Sequence, residues 1–95
     1  MTRFEWDATK AAANLRKHGI SFAEAVTAFM DEYARIIYDP DHSTDEDRFI
    51  LLGMSMTPRL LVVCHCYREG DEVVRLISAR KATRQEANHY RRFRP

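Results

Sequence analysis

The sequence predicts a single α+β domain with the element order β-α-α-β-β-β-β-α, two N-terminal helices and one C-terminal helix packed on a twisted antiparallel sheet. Three observations predict it. Between Asp7 and Phe29, apolar residues recur at helical spacing between recognisable caps. From Arg35 onward the period falls to two, in β-branched and aromatic runs separated by short turns. Thr83 and Glu86 then have the spacing of a capping box, opening a last, arginine-rich helix. At 95 residues there is room for one domain with a modest core.

Arg3 to Trp6 reads as a short first strand. Asp7 is placed to accept from the free N–H groups of the next turn, the job of an N-cap. Ala8, Ala11, Ala12 and Leu15 form an apolar stripe on the helix that follows, to His18, and Lys10, Asn14 and Lys17 form a polar one. Gly19 ends the helix, because glycine enters the left-handed region without a Cβ clash. Ser21 and Glu24 suggest a second capping box, before Phe22, Ala25, Val26 and Phe29 line the next helix.

Strands are then expected at Arg35 to Asp39, Phe49 to Gly53, Leu60 to Tyr67 and Val73 to Ala79. Their turns run through Pro40 to Asp47, Thr57-Pro58 and Glu69-Gly70-Asp71. Connections this short favour an antiparallel meander. Ala87 and Tyr90 mark one side of the final helix, and Arg84, Arg91 and Arg92 the rest of it.

Composition removes several classes of function. With 31% charged residues and only three glycines and three prolines, this is neither a disordered tail nor a fibrous repeat. The longest apolar run, Leu60 to Cys64, is strand-sized, far below the ~20 residues of a bilayer span, so no membrane association is expected. The first residues lack an apolar export segment, which makes the cytoplasm the expected compartment. Cys64 and Cys66 stand too close in sequence to staple a small fold.

Charge is unevenly spread. Asp31 to Asp47 holds seven acids and one base, whereas Arg68 to Pro95 holds eight bases and four acids. Such a division suits a basic partner, an anionic ligand or both, and it equally suits two solvated faces.

No Gly-rich phosphate loop and no Gly-x-Ser-x-Gly is present, which argues against nucleotide-binding and α/β-hydrolase chemistry. Cys64-His65-Cys66 invites a metal reading, with His42 or His18 as further ligands. Strand alternation turns His65 away from the two cysteines, so packed thiols are expected there and no metal site or cofactor is assigned. The basic and aromatic residues are more coherent. Lys10, Lys17 and His18 lie on or at the end of the first helix, and Arg75 and Arg80 punctuate the last strand. Arginine in an apolar strand needs solvent, a carboxylate or a phosphate; the first alternative to a phosphate is a pair with Asp39 or Glu72. Trp6 and Phe4 suit base stacking, or equally the core. His89 reads as a surface residue.

The residues also carry a resemblance. Phe4-Glu5-Trp6-Asp7, Lys10, Asn14, Lys17-His18-Gly19-Ile20-Ser21-Phe22, Asp39 with His42-Ser43, Asp47-Arg48 and Ile77-Ser78-Ala79-Arg80 with Glu86 and Tyr90 resemble, in order, the BrnT family. The resemblance implies a RelE-like fold and a metal-independent endoribonuclease toxin of a type II toxin–antitoxin pair. It also implies a partner resembling BrnA, a ribbon-helix-helix antitoxin through which alone the toxin would meet DNA. Cleavage through a 2′-hydroxyl needs a base, an acid and cations for the phosphorane-like charge. On that reading Arg75 and Arg80 are the phosphate clamps, with Lys17 and Arg48 in support. His18 is the first acid–base candidate and Lys10 a lesser one, with His42 the other histidine suited to the work. Lys10, Trp6 and Arg84 would bind RNA. His18 would equally serve by capping the carbonyls of its helix. The antitoxin is expected on a partly open sheet face carrying some of Leu61, Val63, Val73 and Ile77, with the acidic block guiding a basic segment. The alternative is a non-catalytic RNA- or protein-binding module acting as a co-repressor.

Overall fold

The change of period at Arg35 divides the chain as the sequence predicts. The structure, a computed structural model, describes residues 2–94. Strand β1 (Arg3–Glu5) leads into α1 (Ala8–His18) and α2 (Phe22–Ala28). Strands β2 (Arg35–Tyr38), β3 (Phe49–Met54), β4 (Leu60–Arg68) and β5 (Val73–Lys81) follow, and α3 (Arg84–Arg92) closes the chain. One sheet is ordered β1-β5-β4-β3-β2. Strands β2 to β5 form the expected antiparallel meander, but β1 joins the free edge of β5 in parallel, from Arg3↔Val73 to Glu5↔Arg75. The sheet is therefore mixed rather than antiparallel throughout. A parallel neighbour needs a long crossover, and everything from α1 to β4 provides one.

The caps explain where the helices stop and start. Asp7 accepts from the Thr9 N–H at 2.8 Å, and Gly19 takes φ +71° to close α1. Thr83 and Glu86 complete a reciprocal capping box on α3. The box expected on α2 is only half made. Ser21 accepts from the Glu24 N–H, but the Glu24 carboxylate turns instead to Arg59, Ser55 and Thr57.

Helix α1 is also rotated from the orientation its apolar stripe predicts. Ala8, Ala12 and Leu15 are exposed, and the buried residue is Asn14. Strand register gives the reason. The Ala82 N–H donates to the Leu60 carbonyl, so the bonded pairs of β4 and β5 alternate such that the backbone groups of Ala79 point away from β4. Strand β1 ends before it reaches them. Asn14 takes its place, donating to the Ala79 carbonyl at 2.9 Å and accepting from the Ala79 N–H at 3.0 Å. A primary amide reproduces the donor–acceptor pair of a missing strand.

Helices cover both faces of the sheet. Under α1 and α2, Ile20, Phe22, Ala25 and Ala28 pack on Leu51, Leu61, Val63, Val74, Leu76 and Ala79. The end of α2 comes so close to β3 that a Cβ on Gly53 would lie 2.8 Å from the Ala28 carbonyl oxygen, which is why glycine stands there. On the other face α3 lays Tyr90 over Leu52 and Val62. This arrangement corrects the open-face expectation. Leu61 and Val63 are sealed beneath the helices, Val73 is buried, and Ile77 occupies the irregularity where the β4–β5 register shifts. The bulge breaks the strict alternation on which that expectation relied. A run of three large apolar residues is left outside instead on the β2 edge, where Ile36, Ile37 and Tyr38 are 48–59% exposed.

Arg59 holds the nearly buried Glu24 carboxyl down to about 2, with Thr57 and Ser55 adding hydrogen bonds against the opposing effect of burial. Because this folded value lies below the ordinary one, the ion pair contributes above about pH 4.5 and is lost as pH falls through about 2. Glu24→Gln is expected to lower the melting temperature at neutral pH by roughly 5–10 °C. Thermal melts should show that difference vanish towards pH 2, and a deficit constant with pH would contradict the ion-pair account.

Candidate active site

Alternation along the strands decides which side chains share the face opposite α1 and α2. On β3 these are Ile50 and Leu52, which pair with Ile37 and Arg35 on β2. The same register runs one step further, because the Asp39 N–H donates to the Arg48 carbonyl at 2.8 Å. Asp39 and Arg48 are therefore cross-strand neighbours on that face. On β4 it carries Cys64 and Cys66; Cys66 pairs with Arg75 on β5, and Arg75 with Glu5 on β1. A row thus runs across the sheet: Asp39 and Arg48, one residue beyond the paired ends of β2 and β3, then Cys66, Arg75 and Glu5. Adjacent strands are ~4.8 Å apart, so Arg48 and Arg75 stem from backbones ~10 Å apart. Helix α3 covers the Leu52–Val62 half of the face and leaves this half without a helix.

Ionic contacts tie the row together. Arg75 meets Glu5 at 2.6 Å, Arg68 lies 3.8 Å from Glu5 and 3.6 Å from Glu46, and Glu46 lies 3.8 Å from Arg48. The partner of Arg75 is thus Glu5, and neither Asp39 nor Glu72. Among the described residues the Arg48 Nε is buried and makes no hydrogen bond; the Glu46 carboxylate that faces this nitrogen stays 3.8 Å away. A guanidinium N–H without an acceptor is uncommon and costly, and it suits an oxyanion arriving from outside. Beneath the row, burial pushes both cysteine thiols up, so they stay protonated and are poor nucleophiles or metal ligands.

The loop between β2 and β3 is drawn together by its own hydrogen bonds. Ser43 Oγ donates to the Asp39 carbonyl and accepts from the Arg48 N–H at 2.9 Å. This knot brings His42 Nδ1 to 2.8 Å from the Asp39 carboxylate. The Asp39 side chain is 10% exposed, whereas that of His42 is 67% exposed.

The other sequence-predicted residues are not gathered into this row, and Lys10, Lys17, His18 and Trp6 belong to the side of the sheet that α1 and α2 cover. Arg80 pairs with Val62 in the half that α3 covers and is held by Glu86 through two hydrogen bonds, 2.8 and 2.9 Å, an engagement that brings the Glu86 carboxyl down to about 2. Arg84 is exposed at the start of α3. Lys10 and Lys17 stand one turn before and one turn after Asn14, flanking the β5 edge at Ala79, next in sequence to Arg80. His18 ends α1 half-buried, and among the described residues no side chain or carbonyl hydrogen-bonds its ring. Trp6 is 37% exposed and meets Phe22 edge-on.

His65, which sequence alternation turns from the cysteines, lies within the core among Phe29, Phe49 and Tyr67. Among the described residues no group of three or more His, Cys, Asp or Glu is placed to hold a metal ion, and no helix is long and apolar enough to cross a membrane. The carboxylates Glu5, Asp39 and Glu46 are absent from the sequence-derived site. Asp39 had a signal, its three-residue spacing from His42, whereas Glu5 and Glu46 had none.

A family model described as ribonuclease toxin, BrnT, of type II toxin–antitoxin system matches residues 6–86. Among solved structures, the chain resembles the Brucella abortus ribonuclease toxin BrnT at 24% identity, covering 88% of this chain and 100% of that one, with a TM-score of 0.66. At that identity the likeness is one of fold. A comparison with curated proteins found no match.

Proposed function

Since the chain belongs to the BrnT family of ribonuclease toxins of type II toxin–antitoxin systems, we propose that it is an endoribonuclease that cleaves RNA through the 2′-hydroxyl without a metal ion. The observation that carries this reading onto the molecule is the row with Arg48 and Arg75 on the open half of the sheet. Two guanidinium groups are suited to the charge that builds on phosphorus, the role a divalent cation plays elsewhere. With Arg68 they form a network of three arginines and two carboxylates, beside which lies the Asp39 carboxylate, so the free site is close to neutral and RNA has to displace Glu5 or Glu46 from its arginine. Long-range attraction falls to Lys10, Lys17 and the arginines of α3, with Trp6 available for a base. Arg80 joins the phosphate set only by leaving Glu86; in the free protein it braces α3.

The partner in this proposal is a BrnA-like ribbon-helix-helix antitoxin, with DNA contacted through it, and the setting is the cytoplasm. Support comes from the β2 edge, where exposed Ile36, Ile37 and Tyr38 stand beside the acidic loop that ends in Asp47. An unguarded apolar edge strand next to negative charge suits a segment that is both apolar and basic.

One specific observation favours the alternative, a non-catalytic co-repressor: Arg75 and Arg80 are already paired with carboxylates. The two readings separate in one experiment. Purified chain incubated with RNA and excess EDTA is expected to produce fragments ending in 2′,3′-cyclic phosphate, and the co-purified antitoxin is expected to suppress them. Intact RNA would favour the co-repressor; cleavage that needs added metal would remove the metal-free mechanism.

A further inference from the structure

Resting on the ribonuclease reading, we infer that His42, oriented by Asp39, is the group that takes the proton from the attacking 2′-hydroxyl. Among the four histidines, His65 is enclosed by aromatic rings and His89 lies against Phe93 on α3. Among the described residues His18 has no carboxylate to set its tautomer. His42 has one, and the arrangement is asymmetric in the useful sense: Asp39 is buried and His42 is exposed. With Nδ1 held against the carboxylate at 2.8 Å, the proton sits on Nδ1, and Nε2 is the basic nitrogen on an open side chain. A buried carboxylate also stabilises the imidazolium that forms, as in other histidine–aspartate pairs.

Location adds a second, independent argument. Asp39 is the cross-strand neighbour of Arg48, whose buried Nε makes no hydrogen bond among the described residues, the Glu46 carboxylate standing off at 3.8 Å. Ser43 bonds both residues and so fixes the loop that carries His42 relative to that arginine. A base and an unsatisfied guanidinium N–H side by side are what an RNA phosphodiester with an adjacent 2′-hydroxyl requires. In the step, the 2′-oxygen bonds to phosphorus as its proton passes to His42 Nε2. The bond from phosphorus to the 5′-oxygen breaks, and that oxygen leaves as an alcohol with a proton from water. His42 then returns its proton to the hydroxide left behind. The products are a 2′,3′-cyclic phosphate and a 5′-hydroxyl, with no proton gained or lost overall.

The test uses the full chain and two RNAs of one sequence, one unmodified and one 2′-O-methylated so that it binds without reacting. His42→Ala is expected to slow cleavage by about 10²–10⁴-fold while its affinity for the methylated RNA stays within about two-fold of the unaltered chain, a margin smaller than the tenfold of 1.4 kcal/mol. Added imidazole is expected to restore part of the rate. Asp39→Asn is expected to lose at least about ten-fold, and circular dichroism must show both variants folded; if His42→Ala is not, His42→Gln replaces it. Unchanged cleavage by folded His42→Ala would overturn the inference and leave the ribonuclease reading standing, as would a loss of affinity that accounts for the whole defect. An unaltered chain that cleaves no RNA would overturn both together.

Discussion

Arg48→Leu is expected to abolish most RNA cleavage, by about 10²–10³-fold, while leaving thermal stability unchanged or slightly raised. The two halves of this result have separate causes. Arg48 is the member of the cationic row whose buried Nε makes no hydrogen bond among the described residues; the Glu46 carboxylate facing it lies 3.8 Å away, so its desolvation is only partly offset in the free molecule. Leucine keeps an apolar stem over the sheet and removes that orphan donor. Replacing an unsatisfied polar group by an apolar one of similar shape is neutral or favourable. Cleavage should fall because a phosphate oxygen is then deprived of a charged donor where negative charge develops. Arg48→Lys should recover little, since lysine lacks the planar fork that meets two oxygens. The check is a melting curve beside a cleavage assay on the same preparation. A variant that loses melting temperature in proportion to activity would make Arg48 a structural residue, linked through Glu46 to Arg68. Stability that rises as function falls is the expected mark of a site kept under strain for a ligand.

The second large effect is expected at Asn14, far from any reacting atom. Its amide group makes three hydrogen bonds, to the Ile20 and Ala79 carbonyls and from the Ala79 N–H, while only 7% exposed. Asn14→Asp keeps the acceptor and removes both donors. Two carbonyls are stranded at about 1–3 kcal/mol each, and a carboxylate is forced against them or must bind a proton. The expected loss is on the order of 4 kcal/mol, among the larger effects a single substitution produces. For a domain of this size that corresponds to roughly 20 °C in melting temperature. Asn14→Ala should cost less, because no charge is buried. Activity should fail along with the fold, since Asn14 docks the helix stripe that carries Lys10 and Lys17 to the β5 edge. A drop of only a few degrees for Asn14→Asp would mean that water satisfies the edge of β5, and the strand-substitute account of Asn14 would be wrong.

Local chemistry made most of the fold legible without a structure. Asp7, Gly19 and Thr83 act within one turn of where they stand, so their roles follow from residue type and spacing. The strands from Arg35 onward were readable because period-two patterning and short turns leave few other pairings. Resemblance over nearly the whole chain pointed to the family, and the family model matches residues 6–86. What misled was patterning alone. The alanine stripe of α1 predicted the buried side, yet alanines bury little area, and the unpaired backbone of Ala79 outweighed them.

The row from Asp39 to Glu5 was beyond the reach of the sequence for a related reason. Its members come from three strands and from the residues flanking β2 and β3, spread over some seventy positions, and only register decides that they meet. Arg75 and Arg80 could be read as needing an anion, but Glu5 and Glu86 could not be named as supplying it. By itself the sequence determined the elements, the helix starts and the family, because those rest on neighbours in the chain. Tertiary structure alone decided which charges are paired, which guanidinium nitrogen makes no hydrogen bond and which histidine has a carboxylate behind it. Electrostatic partnership depends on distance through space, and in a sheet that distance is set by strand order and register rather than by separation along the chain.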